Sequence, residues 1–79
     1  MRKRFVIVLG TETQPVDIES FDDLNGLRKY CQKIQYKKTT GIFFDNQLKV
    51  RMSFSLPGVF CLETAVLGAI LIKPRREFV

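Results

Sequence analysis

The chain has 79 residues, of which 46% are hydrophobic and 27% are charged. This length is too short for a second domain, and this composition is that of a globular protein and excludes an intrinsically disordered chain. The net charge of +5 at pH 7 is compatible with an acidic partner, either nucleic acid or an acidic protein surface, and equally with charge that only keeps the protein soluble.

The first predicted element is a strand over residues 4–10, RFVIVLG. This segment is rich in β-branched and aromatic residues and stops at a glycine. Because it is apolar at nearly every position, we expect a central strand with both faces covered.

Residues 11–20, TETQPVDIES, allow two interpretations. Val16 and Ile18 alternate with Asp17 and Glu19, as in a strand exposed on one face, and residues 11–14 would then form a hairpin turn. The alternative is a loop that leads directly into the next helix.

A helix is predicted over residues 20–35, SFDDLNGLRKYCQKIQ. Ser20 is the expected N-cap, and Asp23 three residues later resembles the acidic partner of a capping box. Four residues recur at the three-and-four spacing of one helix face, and we expect this ridge to pack on the sheet: Leu24, Leu27, Cys31 and Ile34.

A hairpin is predicted next, with strands at 39–44 and 47–54 around Asp45 and Asn46. Alternate residues of its second strand are apolar and should face the core: Leu48, Val50, Met52 and Phe54. After Pro57 and Gly58, residues 59–67 allow either a short helix that ends at Gly68 or a turn. Residues 68–73, GAILIK, predict a final buried strand.

The stretch FVIVLGTETQPVDIES with the helix after it, then IFFDNQL and AILIKPRR, resembles the ubiquitin-like β-grasp domains in order and spacing. This resemblance implies an α+β fold of order ββαββ(α)β, with one principal helix on a small mixed sheet. It also implies a domain that is bound by other proteins and does not catalyse. The chain ends in Arg-Arg-Glu-Phe-Val rather than Gly-Gly, which argues against conjugation.

A ferredoxin-like βαββαβ order is the alternative if residues 11–20 are a loop and residues 59–67 form a second helix. That order would gather three basic clusters at one pole, namely residues 2–4, 33–38 and 73–76, whereas a β-grasp order separates the first cluster from the other two. Tyr30 and Tyr36 are the aromatic residues expected to be reachable. The candidate binding residues are Lys33, Tyr36, Lys37, Lys38, Lys73, Arg75 and Arg76.

The sequence has no histidine, and its two cysteines and scattered carboxylates lack the spacing of a metal site or a catalytic pair. No phosphate-binding glycine motif is present, so we expect neither cofactor nor metal. Cys31 and Cys61 are expected to be reduced, buried thiols in a cytoplasmic protein. The apolar runs are too short for a signal peptide or a membrane span.

These observations predict a non-enzymatic interaction module, such as an adaptor, inhibitor or regulatory subunit. It would bind a protein partner through a sheet edge or its basic face, and a homodimer is compatible with the same edge. The alternative is a small basic protein that binds single-stranded DNA or RNA, because lysines adjoin aromatic residues in the segment 30–38.

Overall fold

The structure is a computed structural model, and it describes residues 3–10 and 13–72 apart from the side chain of Ile72. Its elements, in chain order, are strands β1 (Phe5–Gly10) and β2 (Pro15–Phe21), helix α1 (Leu24–Ile34), strands β3 (Thr39–Asp45) and β4 (Val50–Leu56), and helix α2 (Leu62–Ile72). The strands form one sheet of order β2-β1-β3-β4 in which all neighbours are antiparallel. The predicted α+β class is therefore confirmed.

Both helices pack on one face of the sheet. The side chains of Phe5, Ile7 and Leu9 on β1 point to this face and are almost fully buried. On β3 and β4, Phe43 and Phe54 point the same way, and a Cβ on Gly41 would lie 2.4 Å from the Phe54 ring. The core therefore forms between this face and the buried residues of α1 and α2.

No described helix covers the opposite face of the sheet. Val6 and Val8 lie there and are half-buried, and their neighbours across β3, Phe44 and Ile42, share this side. The prediction that β1 is covered on both faces is therefore wrong. β1 is central in the sheet, but within the described part of the chain its second face is shielded only by adjoining side chains.

The helix α1 begins later than predicted. Ser20 belongs to β2, and the N-cap is Asp23, whose carboxylate accepts a hydrogen bond of 2.8 Å from the backbone nitrogen of Gly26. The predicted ridge is confirmed at Leu27, Cys31 and Ile34, each 0% exposed, whereas Leu24 is 44% exposed. Leu24 stands in the first turn, directly after the N-cap, and its prediction as a core residue is wrong.

The C-terminal part of the described chain differs most from expectation. Residues 62–72 form one continuous helix, so the predicted end at Gly68 is wrong, and so is the predicted strand over residues 68–73 as far as residue 72, since residue 73 lies outside the described residues. Residues 16–19 do lie in a strand, which corrects the loop interpretation and with it the ferredoxin-like alternative. The β-grasp topology is not confirmed, because β1 and β3 are direct neighbours and residues 68–72 are helical.

The order of elements is ββα followed by ββα, with β1 and β3 side by side at the centre of the sheet. Gln35, directly after α1, joins the two units. Its side-chain oxygen accepts a hydrogen bond of 2.6 Å from Leu62 N, and its nitrogen donates to Val59 O at 3.2 Å. An ion pair of 2.6 Å between Arg28 and Glu63 also connects α1 to α2.

Candidate interaction surfaces

The β2 strand is the most exposed element of the described structure. It lies at one edge of the sheet and pairs only with β1, and residues 15–20 are all exposed. The backbone groups on the outer side of an edge strand have no partner within the sheet. We call residues 15–20 the acidic edge, because their charged side chains are both carboxylates.

Alternate side chains of the acidic edge point to opposite faces of the sheet. Asp17 pairs with Leu9 and Glu19 pairs with Ile7, so the two carboxylates lie on the face that carries the helices. Ile18 pairs with Val8, so it lies on the uncovered face, and it is 57% exposed. Val16 is 81% exposed and lies where the register of β1 with β2 is irregular, so it has no direct partner on β1. The sequence predicted the alternation, but the register with β1 was needed to show that the charged side is the helix side.

Tyr30 of α1 lies near these two carboxylates. Its side chain is 8% exposed and packs against Phe21, with ring centroids 5.2 Å apart. Burial raises the pKa of Tyr30 to about 12, and the nearby charges of Asp17 and Glu19 contribute further. Asp17 is close to the buried hydroxyl, yet no hydrogen bond to that hydroxyl meets the usual distance and angle limits. The expectation that Tyr30 is reachable is wrong, since it belongs to the core.

The second candidate surface follows the end of α1, and we call it the basic patch. Lys33, Tyr36, Lys37 and Lys38 are all exposed, and the Tyr36 side chain is 90% exposed. The structure therefore brings together four of the predicted binding residues. The other three, Lys73, Arg75 and Arg76, lie outside the described residues.

The basic residues before β1 lie at the opposite end of the sheet from the basic patch. Because β1 and β3 are antiparallel, Phe5 pairs with Asp45 at the end of β3, whereas Lys38 immediately precedes the start of β3. Lys3 and Arg4 are also committed to ion pairs, with Asp22 at 3.0 Å and with Asp45 at 3.2 Å. These described bases do not extend the basic patch.

The acidic edge and the basic patch meet at one end of β2. Val16 and Asp17 line a cleft of about 520 Å³ together with Lys37 and Lys38. A partner that binds along β2 would therefore meet carboxylates over most of the strand and lysines at its first residues.

A wider groove of about 690 Å³ lies at the same end of the sheet. Its walls carry small hydroxyl and apolar groups and no charged side chain: Gly10, Thr13, Thr40, Gly41, Ile42, Ser53, Phe54 and Ser55. A small-molecule site generally holds a few convergent polar or charged groups that fix the ligand's orientation. The lining of this groove lacks charged groups of that kind.

The described residues carry little that points to catalysis. They contain no cluster of three or more potential metal ligands. Both cysteines are free thiols, Cys31 buried as predicted and Cys61 only partly buried, contrary to prediction. Among the helices of the described chain, none has the length and apolar character needed to cross a membrane.

No family model, curated protein or solved structure matches this chain. Function must therefore be inferred from the two surfaces themselves.

Proposed function

We propose that the chain is a non-enzymatic interaction module that binds a protein partner along the acidic edge. The observation that carries the proposal is the exposure of residues 15–20 on a strand that pairs on one side only. An extended segment can add to such a strand through backbone hydrogen bonds, while side-chain contacts on alternate residues supply specificity.

The side chains of the strand support this proposal. Val16 and Ile18 are large apolar residues exposed to solvent, and Ile18 lies beside the half-buried Val8 on the uncovered face. A contiguous apolar surface at a sheet edge is typical of a site that another protein covers. The other sheet edge differs, because the exposed residues of β4 are Arg51, Ser53 and Ser55, and its apolar residues face the core.

Site-specific photo-crosslinking tests this proposal. Benzoylphenylalanine replaces Ile18 in the full chain, and a second preparation carries it in place of Lys29, an exposed residue of α1. We expect nuclease-treated lysate of the source cells to give a discrete crosslinked protein at position 18 and none at position 29. Crosslinking that is absent at position 18, or equal at both positions, would refute binding along β2.

Binding of a single-stranded nucleic acid at the basic patch is the second candidate function. The observation that favours it is the exposure of Tyr36 among three exposed lysines, which combines a stacking surface with phosphate-binding groups. Affinity for an oligonucleotide should then fall steeply with salt, with a log–log slope of about 0.7 per phosphate contact. The double variant Lys37→Glu, Lys38→Glu should abolish binding, whereas unchanged binding would exclude this surface.

A further inference from the structure

The two ββα units allow a comparison of equivalent edge strands. β4 occupies at one edge of the sheet the position that β2 occupies at the other. Its helix-side residues are apolar, and most of them are buried: Val50, Met52, Phe54 and Leu56. At the matching positions β2 carries Asp17 and Glu19, both exposed. The two carboxylates of β2 therefore occupy positions at which β4, in the second ββα unit, carries core residues.

A strand that adds to β2 must place its side chains beside these carboxylates. Directly opposed residues on neighbouring strands point to the same face, with Cβ atoms about 5 Å apart. Opposite charges in such positions stabilise the pair, and like charges destabilise it. Positively charged residues of the partner are therefore favoured opposite Asp17 and Glu19.

The same rule disfavours a second copy of the chain at this edge. Every register that pairs most of β2 with itself and keeps the two faces of the sheet sets Asp17 or Glu19 opposite one of the same two acids. Pairing with β4 of another copy would set the carboxylates beside Val50, Met52 and Phe54, which offer them no hydrogen bond.

The uncovered face sets the chemistry of the remaining partner residues. Ile18 projects on that face and is 57% exposed, so the partner side chain opposite it gains most when it is apolar. Inward-facing charge alone can serve to protect an edge against unwanted pairing. Protection does not account for the exposed Ile18 on the other face, whereas a site for an amphipathic strand needs both features.

Tyr30 offers a second observation at the same site. Its side chain is more than nine-tenths buried, and its hydroxyl lies close to Asp17 without a hydrogen bond that meets the usual distance and angle limits. A buried polar atom of this kind is usually satisfied by some donor or acceptor. A lysine or arginine that pairs with Asp17 and Glu19 would bring a further donor to this site, where Lys37 and Lys38 line a cleft with Asp17.

We infer that the partner at the acidic edge is an extended segment with Lys or Arg at every second position and apolar residues between them, added to β2 as a fifth strand. This inference rests on the proposed function, because it specifies the chemistry of the partner bound along β2.

Titration with synthetic peptides tests the inference. One short peptide, acetylated and amidated, alternates Lys with Val and Thr; a second has Glu in place of Lys; a third is the Lys peptide with alternate backbone amides N-methylated. Amide hydrogen exchange and NMR shifts report where each peptide binds. We expect the Lys peptide to protect amides of residues 15–21. The Glu peptide should bind about tenfold more weakly, since two reversed charge pairs together approach that factor. The N-methylated peptide should also bind about tenfold more weakly, because it lacks the backbone N–H groups that would pair with β2.

Variants of the chain separate charge from shape. The double variant Asp17→Asn, Glu19→Gln should remove the preference for the Lys peptide over the Glu peptide. Asp22→Asn, which changes an exposed acid just beyond β2, is the matched control and should retain the preference. Tyr30→Phe should weaken the Lys peptide without loss of folding, because the hydroxyl it removes has no partner.

The outcomes distinguish a failure of the inferred partner chemistry from a failure of the proposed function. Equal binding of the Lys and Glu peptides at β2 would overturn the charge inference and leave the proposed function standing. Binding that N-methylation does not weaken would overturn strand addition. If no peptide binds but the photoprobe at position 18 still crosslinks a protein, the inferred chemistry is wrong and the function is retained. If both experiments fail, both proposals fall.

Discussion

Arg4 and Asp45 form a two-point ion pair that closes one end of the β1–β3 contact. The guanidinium donates from Nε to Oδ1 and from Nη2 to Oδ2, each at 3.2 Å. The carboxylate is only 1% exposed and also accepts hydrogen bonds from the backbone nitrogens of Gln47 and Leu48. The Asp45 side chain thus connects the start of β1, the end of β3 and the turn that follows β3.

The first prediction is that Arg4→Met destabilises the fold by about 3 kcal/mol, because it leaves a buried carboxylate without its counter-charge. Lys3→Met is the matched control. It breaks an exposed pair with Asp22 and should cost no more than about 1 kcal/mol. Urea unfolding at neutral pH measures both free energies, and equal losses in the two variants would contradict the assigned role of Asp45.

The second prediction concerns two glycines that differ in the space around them. A Cβ on Gly41 would lie 2.4 Å from the Phe54 ring, so Gly41→Ala should destabilise the chain by about 1–3 kcal/mol. Gly68 lies within α2 with nothing within 4 Å of such a Cβ. Gly68→Ala should therefore stabilise the chain by up to about 1 kcal/mol through helix propensity. Thermal unfolding compares the variants, and the prediction fails if the two changes have the same sign.

The third prediction is a difference in thiol reactivity. The Thr64 hydroxyl lies 3.2 Å from Cys61 Sγ and lowers the pKa of that thiol, and the Thr64 backbone adds to the effect. Burial instead raises the pKa of the Cys31 thiol to about 12. Iodoacetamide at pH 8 should therefore label Cys61 far faster than Cys31, as followed by peptide mass spectrometry.

Thr64 variants check the cause of that difference. Thr64→Val removes the hydrogen bond that favours the thiolate, so the pKa of Cys61 rises and the midpoint of its rate profile moves to higher pH. Thr64→Ser retains the donor and should leave the profile in place. A midpoint that is identical in all three proteins would show that the hydroxyl does not set the reactivity.

The fourth prediction is a loss of stability in alkaline solution. Burial raises the pKa of Tyr30 and of Cys31 to about 12, above their ordinary values of 10.0 and 9.0. At a pH between the ordinary and the raised values, the unfolded chain has lost the Tyr30 and Cys31 protons and the folded chain retains them. The free energy of unfolding therefore falls as pH rises. Tyr30→Phe should reduce the slope measured by urea unfolding from pH 8 to 11. Tyr36→Phe, at an exposed position, is the control, and equal slopes would count against Tyr30 as a contributor.

Much of the fold could be predicted from local patterns. Alternation at Val50, Met52 and Phe54 identified β4, and the spacing of Leu27, Cys31 and Ile34 identified the buried side of α1. The error at residues 68–72 has a physical origin, since GAILIK suits a buried strand and a buried helix equally. Ala69 and Ile70 pack against the core and continue, beyond Gly68, the helical spacing of Leu62 and Val66, which are almost fully buried.

The candidate site could be predicted only in part. The exposure of Lys33, Tyr36, Lys37 and Lys38 follows from their place at the end of an amphipathic helix. The face on which Asp17 and Glu19 lie depends on the register of β2 with β1, which no local pattern fixes. Tyr30 was misjudged because its hydroxyl is polar, although its position between Leu27 and Ile34 placed it beside the apolar ridge.

The repetition of ββα in the chain has a consequence for how it folds. Each hairpin joins residues close in sequence and can form early, whereas the β1–β3 contact joins residue 5 to residue 45 and must wait for the longest loop to close. The same contact can form between halves of two different molecules. Refolding at high concentration should therefore yield an exchanged dimer that reverts to monomer only through unfolding, whereas dilute refolding should not.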